Sequence, residues 1–398
     1  MYNVTAHITI TQRPSDQWPN RTRTFALEFF EGYEWESSWE ELTDKGSITL
    51  PKNLKVADDK NPLEGDGVNI GGFGKEPLFL RGDRITLDAG YRYLDRTLNQ
   101  WVKDDARIIT GYISKVHSGI PVRLEVEDNM WLLKQTPLPN RTWTDSDTLE
   151  DIMAWMIAEA NRIHGTALTY RALTKTGFGE LIVNNESAAQ LLNRLKSDYG
   201  FQSYFRGDEL RCGVLIYFAD DANTLTFYMN GPRGNVPADG QQLEYQRRED
   251  IVLSAVAHNT ITEKTGAQTK DGQDKTRRTR LQVLVTIRNG RVTSQVIAKG
   301  ERAPDATEGE RRTLFFPGAQ TTDELARLAK EELEKFYYDG LTGTFDTFGI
   351  PYVRHGDNVR IINPKQPEQD GLYRVRSVAY TGGNGLRQTI KLHYRVNV

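Results

Sequence analysis

The 398-residue sequence has one cysteine, Cys212, and no run approaching the roughly 20 apolar residues that cross a bilayer. A single thiol makes no intrachain disulfide, and Met1-Tyr2-Asn3-Val4-Thr5 shows no basic segment leading into an apolar one. The expectation is synthesis in a reducing cytoplasm, without membrane insertion. Charge of one sign is also missing. Lys and Arg number 51 against 54 Asp and Glu, so no chain-wide field grips a polyanion and no specific nucleic-acid binding is expected. The six histidines, at positions 7, 117, 164, 258, 355 and 393, spell neither HExxH nor an i, i+4 pair, so no metal or other cofactor is expected. There is no GxSxG elbow for a nucleophile. Gly71-Gly72-Phe73-Gly74-Lys75-Glu76 departs from a phosphate loop, with Asn69 where a glycine is required and Glu76 where Ser or Thr is.

What the chain does have is turns and alternation. Its 34 glycines punctuate short segments of period-two hydrophobicity, the mark of strands with one face in a core. Two of these segments repeat one grammar. Gly82-Asp83-Arg84-Ile85-Thr86-Leu87 is followed by Gly111-Tyr112-Ile113 and then Val122-Arg123-Leu124-Glu125-Val126. Gly356-Asp357-Asn358-Val359-Arg360-Ile361 is followed by Gly371-Leu372-Tyr373-Arg374-Val375 and then Gln388-Thr389-Ile390-Lys391-Leu392. The recurrence of Gly-Asp before matching strands explains Arg81-Gly82-Asp83 as a turn and not an adhesion tripeptide, since Gly permits positive φ and Asp caps the turn.

Length predicts roughly two to three domains. Residues 1–135 read as strands, with a polar loop at 54–76. Residues 136–245 read as α+β. Thr144-Asp145-Ser146-Asp147 supplies N-cap candidates for a helix over 147–163, and Gly200 stops a second over 186–198. Residues 246–398 return to strands, with a polar, mobile hairpin excursion at 263–280 and a helix at 322–338 opened by Thr321-Thr322-Asp323-Glu324. The fold class expected is mainly β with an α+β insertion: two related β-barrel domains flanking a small α+β domain.

Carboxylates cluster at Glu34, Glu36, Glu40 and Glu41, where solvated surface charge outweighs a catalytic pair. Aromatics concentrate at Tyr91, Tyr93 and Trp101 and again at Phe336 and Tyr337; these five are candidate interface residues, because interfaces favour such side chains.

The ordered motifs resemble one family. Ser38-Trp39-Glu40-Glu41-Leu42 through Ile48-Thr49-Leu50-Pro51, then Gly82-Asp83 to Gly111-Tyr112, then Glu186 to Leu210, and last Gly356-Asp357 to Gly371-Leu372-Tyr373, are similar to the baseplate or tail hub proteins of contractile phage tails, also called late control proteins. The hub part of type VI secretion spikes shares that fold. The resemblance implies a non-enzymatic structural hub of the virion baseplate: a homotrimer whose six related modules adapt a sixfold tail tube to a threefold central spike, in contact with other baseplate proteins. It makes Trp39, Gly82, Asp83, Gly111, Tyr112, Gly356, Asp357, Gly371 and Tyr373 turn and strand determinants. With the motifs ending near Val398, the spike is expected to be a separate chain. The alternatives are the hub of a phage-like injection or type VI apparatus and, from another class, a cell-wall glycan hydrolase.

Overall fold

The computed structural model describes residues 2–51, 77–95, 99–117, 119, 121–144, 147–173, 181–213, 222–229, 241–268, 274–304, 308–316, 319 and 321–396. The loop expected at 54–76, with the glycine-rich stretch at 71–76 inside it, falls almost wholly outside these residues. The first module holds β1 (Tyr2–Thr11), β2 (Thr24–Leu27), β3 (Gly32–Ser38), β4 (Lys45–Leu50), β5 (Arg84–Asp95), β6 (Gln100–His117) and β7 (Val122–Glu127). Alternation sets its register. Val122, Leu124 and Val126 of β7 are at most 1% exposed while Arg123 is exposed, so a one-residue slip would turn all three outward at about 1.5–3 kcal/mol each.

The middle region contains α1 (Met130–Lys134), β8 (Arg141–Trp143), α2 (Leu149–His164), β9 (Thr169–Ala172), β10 (Leu181–Val183), α3 (Ala188–Tyr199), β11 (Gln202–Arg206) and β12 (Glu209–Gly213). Both long helices open on capping boxes, Thr148 with Asp151 and Ser187 with Gln190, and both close on left-handed glycines, Gly165 and Gly200. The first cap sits one residue beyond the expected 144–147 cluster. Asp147 instead folds back to accept from the Thr144 backbone N–H at 2.6 Å. Apolar residues spaced three and four apart, from Leu149 and Ile152 to Leu191 and Leu195, form a separate core with Phe205 and Leu210.

The rest of the chain forms β13 (Thr224–Tyr228), β14 (Gln241–Gln246), β15 (Val252–Gln268), β16 (Asp274–Arg288), β17 (Arg291–Val296), β18 (Glu310–Phe315), α4 (Thr322–Glu334), β19 (Gly340–Phe348), β20 (Asn358–Ile362), β21 (Gly371–Gly382) and β22 (Leu386–Arg395). The segment expected as a hairpin at 263–280 lies at the far ends of β15 and β16, which pair antiparallel. Antiparallel pairing runs out to Gln268 and resumes at Asp274. These strands belong to a four-stranded sheet, β17-β16-β15-β18, on which α4 lays Leu325, Ala329 and Leu333. The helix stops at Glu334, four residues short of the expected 338, and Phe336 and Tyr337 follow in turns bonded back to Leu333 and Glu334.

The two modules share one sheet. Its order is β14-β19-β22-β21-β3-β4-β7-β6-β5-β1-β2, with β20 joining β21 to β13. The seam is the antiparallel pairing of β3 with β21, from Ser38 opposite Ser377 to Tyr33 opposite Gly382. Gly382 is required there, since a Cβ would stand 2.1 Å from the Tyr33 ring. A continuous apolar core, including Ile8, Ile48 and Leu124 of one module and Phe345, Val375 and Ile390 of the other, runs across the seam. β13 and β14, which end at Tyr228 and Gln246, hydrogen-bond β20 and β19 and so extend the second module's sheet.

Candidate functional site

The duplicated Gly-Asp sequence builds the same corner twice. In the first, the Gly82 N–H donates to Ile113 O (2.8 Å), the Ile113 N–H to Asp83 O (2.9 Å), and the Asp83 N–H to Leu80 O (3.2 Å). In the second, Gly356 donates to Val375 O (2.8 Å), Val375 to Asp357 O (2.9 Å), and Asp357 to Arg354 O (3.1 Å). The carboxylates repeat too. Asp83 accepts from the backbone N–H groups of Leu80 (2.8 Å) and Arg13 (2.9 Å); Asp357 accepts from those of Arg354 (2.8 Å) and Asn223 (3.1 Å). Both aspartates are fully buried, and both glycines take positive φ, +95° and +80°, which the reversal needs.

The corners differ in two ways. The strand supplying the last donor runs antiparallel to the corner strand in the first module, β1 on β5, but parallel in the second, β13 on β20. Furthermore, only the first corner carries a buried guanidinium bound through two nitrogens. Arg21, fully buried, pairs with both Asp83 oxygens and donates to Pro77 O (3.0 Å), Leu78 O (3.1 Å) and Arg13 O (3.1 Å). Nothing in the spacing of Arg21 and Asp83 marks this pair in the sequence.

The other motif residues also hold the frame. A Cβ on Gly111 would sit 2.0 Å from Glu127 O, where β6 and β7 touch, and Tyr112 stacks on Trp131 with centroids 5.4 Å apart. Tyr373 closes over Gly371, accepts from the Leu341 N–H (3.0 Å) and donates to Gln369 O (3.3 Å). Trp39 lies edge-on to His393 at 4.9 Å. Arg92 lies over Trp101 at 5.1 Å, and Trp101 is half exposed. Tyr91 and Tyr93 lie on the opposite face of the same β5–β6 ribbon, both half-buried, with the Tyr91 hydroxyl bonded to Leu386 O and N of the second module (3.2 and 2.9 Å). Tyr337 is half-buried at the end of α4, but Phe336 is inside, beneath Arg312 with the guanidinium 3.5 Å from its centroid.

One cluster, unread in the sequence, has the composition of a catalytic triad. Ser37 donates from Oγ to Asp44 Oδ2 (2.6 Å) and lies 2.8 Å from His355 Nδ1. Its wiring is wrong for nucleophile activation, which needs the base on the hydroxyl and the carboxylate on the base. Here the carboxylate holds the hydroxyl itself. Burial, and then Arg206, Arg354 and Arg211, push His355 well below its ordinary value, so it is neutral. Burial pushes Asp44 up to about 7, and it pushes Asp128 up as well, with the Asp44 charge adding to the effect. The cluster ties three parts of the chain together: Ser37 and Asp44 from the first module, His355 from the second, and Arg206 of β11, which donates to His355 O at 2.9 Å.

Two of the expected glutamates stand in ion pairs, Glu40 Oε2 2.5 Å from Arg376 and Glu34 4.0 Å from Arg123. Burial raises the Cys212 thiol to about 12, leaving it protonated. Among the described residues no three His, Cys, Asp or Glu side chains come together as metal ligands, and no helix is long and apolar enough to cross a membrane.

Neither protein-family models nor curated proteins give a match to this sequence. Solved structures do. A tail protein from Neisseria meningitidis is 13% identical and superposes with a TM-score of 0.53 over 98% of this chain and 97% of that one. The 43 kDa tail protein of prophage MuSo2 from Shewanella oneidensis is 12% identical, with a TM-score of 0.50 over 98% of both chains. At these identities the likeness is one of fold: the chain has the fold of phage tail proteins from end to end.

Proposed function

We propose that the chain is a non-enzymatic structural subunit of a tail baseplate, and that three copies form a ring adapting a sixfold tail tube to a threefold spike. The observation carrying this reading is the pair of matched Gly-Asp corners. Two corners of one bond pattern in each chain make six in a trimer, so a threefold object offers near-equivalent contacts at sixfold spacing. The opposed direction of β1 and β13 beside the corners makes that equivalence local to the turn and the strand it launches. The modules take the ranges 1–135 and 246–398 around the α+β region at 136–245, with β13 and β14 lent to the second. Tube, spike and other baseplate proteins are the partners, and the virion tail is the location.

Among the described residues the sheet order leaves edges at β2, β13 and β14, and subunit contact is one means of covering an edge. Trp101, Tyr91 and Tyr93 on the β5–β6 ribbon are the contact residues this reading favours. Class averages from negative-stain electron microscopy of the concentrated protein test it: rings with threefold symmetry and six peripheral lobes support the reading, and isolated single-chain particles oppose it. Zymography on peptidoglycan separates it from the hydrolase alternative, for which a cleared zone is the required result.

A further inference from the structure

Where the first module, the α+β region, the four-stranded sheet and the second module meet, a cleft of about 420 Å3 opens. Three of its cations are matched: Arg376 with Glu40 (2.5 Å), Arg312 with Glu310 (2.9 Å) and Lys335 with Glu332 (2.5 Å). With Lys196, whose Nζ donates to Glu40 O, Arg374, which donates to Gly356 O at 2.7 Å, and Arg311, the lining has six cations against four carboxylates, Glu41 being the fourth, and so an excess of positive charge.

Two groups in this lining lack the partners that buried polar atoms ordinarily have. The Arg311 Nε is buried with no hydrogen-bond acceptor among the described residues. Both ring nitrogens of His393 are likewise buried and unpartnered. Burial, and after it Arg312, Arg376, Arg374 and Lys335, push His393 down to about 2, so at neutral pH it presents one N–H and one bare nitrogen. The volume is more than about ten times the ~30 Å3 of a liquid water, larger than a lone inorganic ion fills, and Trp39 and Tyr394 give it apolar wall.

We propose that this cleft recognises an acidic peptide segment of a partner chain, with a carboxylate on Arg311 and the His393 N–H and a neighbouring apolar side chain against Trp39 and Tyr394. Charge complementarity and the mixed lining select this occupant over a free anion. The proposal does not rest on threefold assembly, because the cleft is complete within one chain.

The test is fluorescence anisotropy with a fluorescein-labelled peptide of alternating glutamate and leucine, its lysine counterpart as control, and pyrophosphate as competitor. The expected result is saturable binding of the acidic peptide alone, weakened about tenfold by Arg311→Gln and retained by Arg311→Lys. Arg92→Gln, remote on the β5–β6 ribbon, leaves it unchanged. Glu41→Gln, which removes the unmatched carboxylate, tightens binding and decides the matter if Arg311→Gln fails to fold. Absence of saturation, wild-type affinity in a folded Arg311→Gln, or displacement by pyrophosphate as effective as by unlabelled peptide overturns the proposal; the last result marks a simple anion site. A monomeric protein that binds the peptide refutes the assembly and leaves the cleft standing.

Discussion

Asp83→Ala and Asp357→Ala remove the same side chain from the same turn, yet their costs should differ, because the two carboxylates discharge different obligations. At the second corner, alanine strips the acceptor from two backbone N–H groups, those of Arg354 and Asn223, and ends a 3.6 Å ion pair with the Arg354 side chain, which unlike Arg21 reaches solvent. Asn223 is exposed and water replaces its bond, so the loss is about 1–3 kcal/mol, close to one buried donor left unpaired. At the first corner the same orphaning occurs at Leu80 and Arg13, and in addition the guanidinium of Arg21, with no solvent access, loses its counter-charge. Breaking a buried pair from one side costs about 3–5 kcal/mol. Asp83→Ala should therefore be the worse by about 2 kcal/mol, and Arg21→Leu with Asp83→Leu should recover much of that, since the isolated charge leaves with its partner. Urea unfolding followed by tryptophan emission measures it, with Trp131 reporting directly because its ring lies against Gly82. Equal costs, or a double variant as unstable as Asp83→Ala, refute the assignment of the extra energy to the buried pair.

Two further perturbations probe the seam and the junction. Asp44 has its folded value raised to about 7 against about 3.9 in an unfolded chain, so the native state holds the extra proton between those values. Its contribution is fully present below about pH 4 and is lost as pH rises through 7. The neutral buried histidines, His355, His258 and His393, act in the opposite sense over the acid range and cancel in the stability difference between Asp44→Asn and wild type, which reports the Asp44 carboxyl together with the part of the Asp128 shift that the Asp44 charge causes. That difference should grow in favour of the variant from pH 4 to 7 in thermal melts, and parallel profiles contradict it. At the seam, Gly382→Ala drives a methyl into the Tyr33 ring and should lower Tm sharply. Gly165→Ala, at φ +65° with open space around it, should cost only about 1 kcal/mol. A Gly382→Ala as stable as Gly165→Ala opposes the reading of β3 and β21 as a close-packed joint.

Local rules carried much of the fold into the sequence. Gly200 was legible as the end of α3 because it terminates the helix by its own conformation, whereas the Ser187–Gln190 and Thr148–Asp151 capping boxes went unread and α4 ends four residues before the expected 338. The corners were legible because Gly and Asp act on their own neighbours. What stayed hidden depends on separation along the chain. Arg21 reaches Asp83 across 62 residues, and Ser37 reaches His355 across 318. No period or spacing encodes either contact. Trp39 was visible as a motif, but His393, its neighbour in space, reads in sequence as one more polar residue in a strand. Phe336 shows a different limit: an aromatic after an amphipathic helix suits an interface or a core equally, and only the fold shows its ring under Arg312. The seam between β3 and β21 was missed for the same reason, since each strand alternates correctly by itself and only the tertiary fold sets them side by side.

The central claim is that paired modules let three chains act as six. Native mass spectrometry at micromolar concentration, repeated with the tail tube protein present, measures the stoichiometry directly. The account predicts a species of three chains, alone or on the tube, that Trp101→Ala and Tyr93→Ala weaken while leaving the fold intact. A chain that stays single under both conditions, or that closes into rings of another order, contradicts it.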